Sequence, residues 1–196
     1  MKNRKSEITR ETAETSVSIK LNLDGTGAYK VDTQIPFFDH MLNLFSAHGF
    51  FNLFIEAKGD IQVDFHHTVE DVGLVLGKAF DKALGTREGI KRYGHAATPM
   101  DEAISYISVD LSKRPFLVYN ICEISDNYGD FDISLTKEFL KAFVSTGGLN
   151  LHINAPYGEN KHHLIESVFK GLGRALSQAV EFDKRIQGVK STKGIL

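Results

Sequence analysis

Apolar and polar residues alternate from Val17 to Leu23. Val17, Ile19, Leu21 and Leu23 are separated by Ser18, Lys20 and Asn22, the two-residue period of a half-buried strand. The run Asp24-Gly25-Thr26-Gly27 then predicts a hairpin turn, because glycine accepts the positive φ that such turns need, and a second short strand follows over about 28–33. Pro36 introduces a helix over about Phe38–His48, with Met41, Leu42, Leu44 and Phe45 on its apolar face and Gly49 placed as its C-cap. The strand FNLFIEAKG comes next, then a long helix over about Thr68–Leu84.

The second half repeats this order. Ile104–Leu111 and a strand over about 115–124 read as a hairpin around Ser112-Lys113-Arg114, followed by a helix at about Thr136–Val144 ending near Gly147-Gly148. The strand LNLHINA and a helix running to about Glu181 complete it. GFFNLFIEA aligns with GGLNLHINA at an offset of 98, and HHTVEDVGLVLGKA with HHLIESVFKGLGRA at 96. The difference falls in the intervening loop, where insertions cost little. The pattern predicts an α+β fold built from a duplicated β-β-α-β-α unit. Neither half could bury both its sheet and its helices alone, so the halves are expected to pack as one layered domain over residues 1–196. The repeat boundaries fall at about 8–93 and 94–183, with a tail over 184–196.

Composition narrows the function classes. A formal net charge of −2 does not suggest a nucleic-acid or acidic-membrane surface. No run approaches the roughly 20 apolar residues of a bilayer span, and the N-terminus lacks the apolar core of a secretory signal. The single cysteine, Cys122, excludes an internal disulfide, fits a reducing compartment, and reads as a small strand residue. The expected location is the cytoplasm.

Histidine carries the chemistry. Four of the eight lie in two H-H-x-x-E motifs, His66-His67-Thr68-Val69-Glu70 and His162-His163-Leu164-Ile165-Glu166, each at the first turn of a predicted helix. The spacing of four puts His66 with Glu70, and His162 with Glu166, on one helical face. His67 and His163 point about 100° away around the axis. Each motif therefore suits a His/Glu pair on one metal and a lone histidine on another. His40 in FFDHML and His152 in NLHIN complete an inventory of three histidines and one glutamate for each of two ions. Imidazole nitrogen with carboxylate oxygen and no thiolate favours Mn²⁺, Fe²⁺, Zn²⁺ or Co²⁺ over Ca²⁺ or Mg²⁺. His48 and His95 have no such support and read as structural or surface residues.

The ordered set FFDHML, HHTVEDVG, RYGHAATPMDEA, DLSKRP, NLHI, HHLIESVFK and STKG resembles the imidazoleglycerol-phosphate dehydratase family of histidine biosynthesis, in its monofunctional form, from about Ile8 to the end of the chain. The resemblance implies a sheet-and-helix fold of the ribosomal protein S5 domain 2-like type. It also implies two Mn²⁺ ions per active site and a hollow shell of 24 subunits with active sites between neighbouring chains. The implied reaction dehydrates D-erythro-imidazole-glycerol phosphate to imidazole-acetol phosphate. An imidazole ring deprotonated between two metals becomes electron-rich and can expel the neighbouring hydroxyl through a diazafulvene-like intermediate.

The same resemblance assigns roles. Glu14, in ETAETS, is implied as an acid/base group or hydroxyl anchor, with Glu70 and Glu166 as alternative proton carriers. Arg92, Arg114, Ser191 and Lys193 are implied as phosphate contacts, Lys170 as joining them, and the tail as part of the substrate site. Asp101 would orient a ligand or pair with an arginine. Leu44 stands where many relatives carry glutamine, outside the catalytic set. The alternatives are a dinuclear metallohydrolase acting on a small phosphorylated substrate and a non-catalytic metal-storage shell. Separated phosphate-type cations argue against storage, and the lack of bridging aspartates argues against the hydrolase.

Overall fold

A computed structural model describes residues 4–122 and 131–196. The first half comprises strands β1 (Lys5–Glu11), β2 (Thr15–Asn22) and β3 (Tyr29–Asp32), helix α1 (Pro36–Gly49), strand β4 (Asn52–Gly59) and helix α2 (His66–Leu84). The second comprises β5 (Tyr93–Met100), β6 (Ala103–Asp110), β7 (Phe116–Ile121), α3 (Ser134–Gly147), β8 (Asn150–Tyr157) and α4 (Lys161–Val180). The expected β-β-α-β-α order is present twice, and each copy is preceded by one further strand. The expected strand end at 123–124 lies outside the described residues.

Strand pairing differs from the hairpins expected at 24–27 and 112–114. The sheet orders are β1-β2-β4-β3 and β5-β6-β8-β7, so β4 lies between β2 and β3, and β8 between β6 and β7. The hairpins are instead β1–β2 and β5–β6, both antiparallel. The physical reason is α1: β3, α1 and β4 form a crossover unit, whose strands pair in parallel and leave β3 at the edge. The segment after β2 therefore crosses the end of β4. Asn52, the first residue of β4, secures it by accepting from the backbone N–H of Thr26 at 2.8 Å and of Ala28 at 3.1 Å. Asn150, at the same place in β8, reaches Ser112 and the Arg114 carbonyl.

Inward positions of both sheets are buried and outward ones exposed, as in Val17, Ile19 and Leu21 against Ser16 and Lys20. The helices lie between the sheets. α2 covers the inner face of the first sheet and α4 that of the second, while α1 packs on α4 and α3 on α2. Each half thus lends its short helix to the long helix of the other. Glycine makes the crossings close: a Cβ at Gly173 would lie 2.5 Å from the Phe45 carbonyl oxygen, and one at Gly77 would lie 2.5 Å from that of Phe143. One continuous apolar cluster runs through both halves, including Phe38, Phe45, Phe139, Phe143 and Phe169. Leu44 packs against this cluster, and so does Cys122, which follows β7 and donates its backbone N–H to Ala155 at 2.9 Å. Among the described residues, no helix is long and apolar enough to cross a membrane.

Candidate functional site

Both H-H-x-x-E motifs open their helices, at the start of α2 and in the first turn of α4. A side-chain oxygen two residues ahead meets the first N–H of each pair: Asp64 accepts from the His66 N–H at 2.7 Å, and Asn160, the N-cap of α4, from the His162 N–H at 2.8 Å. The paired rings stand nearly perpendicular, at 88° for His66/His67 and 85° for His162/His163. Each motif therefore faces two directions, as the helical spacing requires.

In the second motif His162 Nε2 lies 2.9 Å from Glu166 Oε2. His40, in the first turns of α1, approaches the same oxygen through Nε2 at 3.4 Å. These three donors lie within 4.8 Å of one another, close enough to share a cation. Glu166 is buried and its other oxygen meets Lys170 Nζ at 2.5 Å. Burial alone would raise the Glu166 pKa, but the bonds from Lys170, His162 and His40 bring it below the ordinary carboxylate value. An ionised carboxylate beside two imidazole nitrogens is a donor set suited to a borderline divalent metal. In the first motif the corresponding pair is more open, with His66 Nε2 and Glu70 Oε2 3.7 Å apart and both side chains over 40% exposed.

The second histidine of each motif is held by a carboxylate at Nδ1. His67 Nδ1 lies 3.0 and 3.1 Å from the Asp60 oxygens, and His163 Nδ1 lies 2.8 Å from Glu102 Oε2. These bonds raise the pKa of both imidazoles. The His163 contact, with help from the Asn160 N–H, lowers Glu102 to about 2. Asp101 stands 3.6 Å from His163 Nε2 and so touches a predicted ligand, not an arginine. Neither Asp60 nor Glu102 was singled out by sequence reasoning. The repeat itself carries the signal for Glu102, which stands 88 residues after Glu14, immediately before β6 as Glu14 stands immediately before β2. Glu14 Oε2 lies 3.8 Å from His67 Nδ1, and its side chain is 57% exposed.

Other expected residues lie elsewhere. His152 is on the outward face of β8, its flanking Leu151 and Ile153 turned to the core, so this chain does not bring it to the helix-borne ligands. His48 and His95 fall outside both clusters. Burial and the Lys170 and Arg174 charges lower the His48 pKa. His95 is exposed on β5.

Arg92, Arg114, Ser191 and Lys193 line one cleft of about 590 Å³, together with Lys113 and Lys190. Arg92 is buried, gives Nε and Nη2 to Asp110 at 2.6 and 2.9 Å, and gives Nη1 to the Lys190 carbonyl at 2.6 Å. It thereby anchors the tail as well as lining the cleft. Lys170 does not line this cleft; it sits with Glu166 and near the Met100 sulfur.

The profile of the imidazoleglycerol-phosphate dehydratase family matches residues 33–176. This chain belongs to that family. It is 56% identical to the imidazoleglycerol-phosphate dehydratase of Desulfosudis oleivorans over 98% of this chain and 99% of the relative. It is 52% identical to that of Geobacter sulfurreducens over 99% and 100%. The solved imidazoleglycerol-phosphate dehydratase of Staphylococcus aureus superposes with a TM-score of 0.83 at 34% identity, covering 91% of this chain and 99% of that one. The Pyrococcus furiosus structure gives 0.81 at 34% identity, over 96% and 100%. The enzyme is thus a hydro-lyase of histidine biosynthesis that dehydrates imidazoleglycerol phosphate. Membership of the family implies a metal-dependent enzyme.

Proposed function

We propose that the dehydration runs at sites assembled between copies of this chain, each holding two Mn²⁺ ions in a 24-subunit cytoplasmic shell. The observation that carries this reading is the separation of the two halves of the site. His162 and Glu166 stand at the start of α4, whereas Arg92 joins its far end through an N–H bond to the Ala179 carbonyl. At ~1.5 Å rise per residue the interval from His162 to Ala179 spans about 25 Å, too far for one small substrate to touch both. A site with both imidazole and phosphate contacts needs the metal ligands of one copy beside the cleft of another.

One ion would take His40, His162 and Glu166, which converge here, with His67 from another copy. The other would take His66, Glu70, His163 and His152. The exposed position of His152 supports its serving a neighbouring chain. Ions held there would supply Lewis acidity that stabilises negative charge on the substrate's imidazole ring.

The remaining steps belong to the chain's own residues. Glu14, exposed at its hairpin tip, accepts the proton from the carbon next to the one losing hydroxide. The resulting enol tautomerises to the ketone. Glu166 is held by Lys170, His40 and His162, which leaves it less suited to carry a proton. Arg114, Ser191 and Lys193 receive the phosphate, and Arg92 fixes the tail (residues 184–196) around it.

Purified protein loaded with Mn²⁺ should convert imidazoleglycerol phosphate to a ketone detected as its enolate in alkali. Full metal occupancy without conversion would sink the dehydratase reading, and release of inorganic phosphate would favour a metallohydrolase.

A further inference from the structure

The duplication gave each half a hairpin-tip glutamate beside its second histidine, Glu14 at β1–β2 and Glu102 at β5–β6. The two have different surroundings. Glu102 holds His163 Nδ1 with Oε2, while its Oε1 accepts from the backbone N–H of Glu159 at 3.2 Å and Asn160 at 2.7 Å. Among the described residues Glu14 makes no hydrogen bond to His67, its Oε2 standing 3.8 Å from Nδ1. Its place against His67 is taken by Asp60, whose oxygens lie within 3.1 Å of Nδ1.

The reason lies in the residue after each fourth strand. Asp60 follows β4, and its counterpart after β8 is Gly158. A Cβ at Gly158 would come within 2.9 Å of the Ala103 Cβ and 3.0 Å of a Leu164 methyl. An aspartate there would displace packed apolar atoms, so the second half draws its carboxylate from the hairpin instead. The first half carries two more residues between strand and helix, and there the aspartate fits.

We propose that Asp60 and Glu102 are positioning residues that hold Nδ1 of His67 and His163 and so present Nε2 to the metals, and that Asp60 thereby releases Glu14 for the substrate. An imidazole that donates Nδ1–H to a carboxylate keeps its Nε2 lone pair free and its ring orientation fixed. The role of Glu14 in this inference rests on the dehydratase site proposed above.

The test pairs Mn²⁺ affinity, read from the electron paramagnetic resonance of unbound Mn²⁺, with turnover in the assembled enzyme. Glu102→Ala should weaken Mn²⁺ binding about 10- to 100-fold, the range for lost outer-shell partners. Glu102→Gln, which keeps an acceptor for the Glu159 and Asn160 N–H groups, should weaken it less. Glu14→Gln should bind Mn²⁺ like the parent yet lose at least ~100-fold in kcat, the scale of a lost general base. Asp60→Gly copies the second half: Glu14 should swing to His67, holding Mn²⁺ affinity within a few-fold while turnover falls as in Glu14→Gln. Adding Glu14→Gln to Asp60→Gly should then lose the metal as well. Parental Mn²⁺ affinity in Glu102→Ala, or parental turnover in Asp60→Gly, would overturn the inference. So would loss of Mn²⁺ in Glu14→Gln alone. If the parent binds Mn²⁺ but does not dehydrate the substrate, the site reading fails while the affinity measurements still decide the positioning role.

Discussion

Gly173 of α4 lies against Phe45 of α1 so closely that a side chain there would meet the Phe45 carbonyl oxygen at 2.5 Å. His40 is one turn and a half before Phe45 on the same helix, and this close crossing brings it to His162 and Glu166. A helix–helix contact in the core thus sets the distance between His40 and Glu166.

Gly173→Ala should therefore act at both places. The methyl has backbone on the other side, which cannot yield as a flexible side chain would, so the expected cost is about 1–3 kcal/mol of stability. Displacement of α1 should also weaken the cation site that includes His40. Thermal unfolding and Mn²⁺ titration check the two effects, and a stable variant with parental affinity would mean that the helices slide without cost.

Lys170 governs the charge of Glu166. The Glu166 pKa is held below its ordinary value by Lys170 and the two histidines against the opposing effect of burial. A carboxylate with a depressed pKa remains ionised until the pH falls through that lowered value, so Lys170→Met should move its protonation to higher pH. Acid release of Mn²⁺ should then begin at a higher pH in the variant, as followed by metal release across a pH series. An unchanged release curve would leave Lys170 without this role.

Arg114 and Lys193 line the cleft at the end of α4 remote from His162 and are both exposed. Substituting either by alanine should lower kcat/KM about 10- to 100-fold, equivalent to roughly 1.5–3 kcal/mol for a charged hydrogen bond to phosphate. Mn²⁺ content should not change. Steady-state kinetics alongside metal analysis separates this outcome from general damage to the fold.

Ligands that face two directions should also join subunits. Removing the metal with a chelator should reduce the particle size measured by light scattering or sedimentation, and adding Mn²⁺ back should restore it. Unchanged size in the stripped protein would show that other contacts hold the assembly.

The pairing of histidine with glutamate was legible in the sequence because a spacing of four on a helix is a geometric statement. His162 and Glu166 meet as that spacing requires, and the two perpendicular ring pairs follow from adjacent helical positions. The strand order was not legible. Local glycine signals at 24–27 suggested a hairpin, but the crossover through α1 placed β4 between the two strands. The strands β1 and β5 were hidden for another reason. Their inward positions include Ser6, Gly94 and Thr98, small or polar residues that leave room for a helix; a Cβ at Gly94 would lie 1.9 Å from the Ala175 carbonyl oxygen. Strong apolar alternation cannot mark a strand whose inner face is that close to a helix. Asp60 and Glu102 went unnoticed because each is distant in sequence from the histidine it holds or separated from it by a loop, so no periodicity connects them.

Mixed assemblies show whether each site is shared between subunits. One variant would carry His162→Ala, which removes a metal ligand, and the other Arg114→Ala with Lys193→Ala, which removes phosphate contacts; each alone should be nearly inactive. Co-expressed with different tags and purified through both, the mixed particles should regain dehydratase activity, because some sites would combine an intact metal end with an intact cleft from another copy. Mixed particles no more active than the two variants separately would mean that each site is built within one chain.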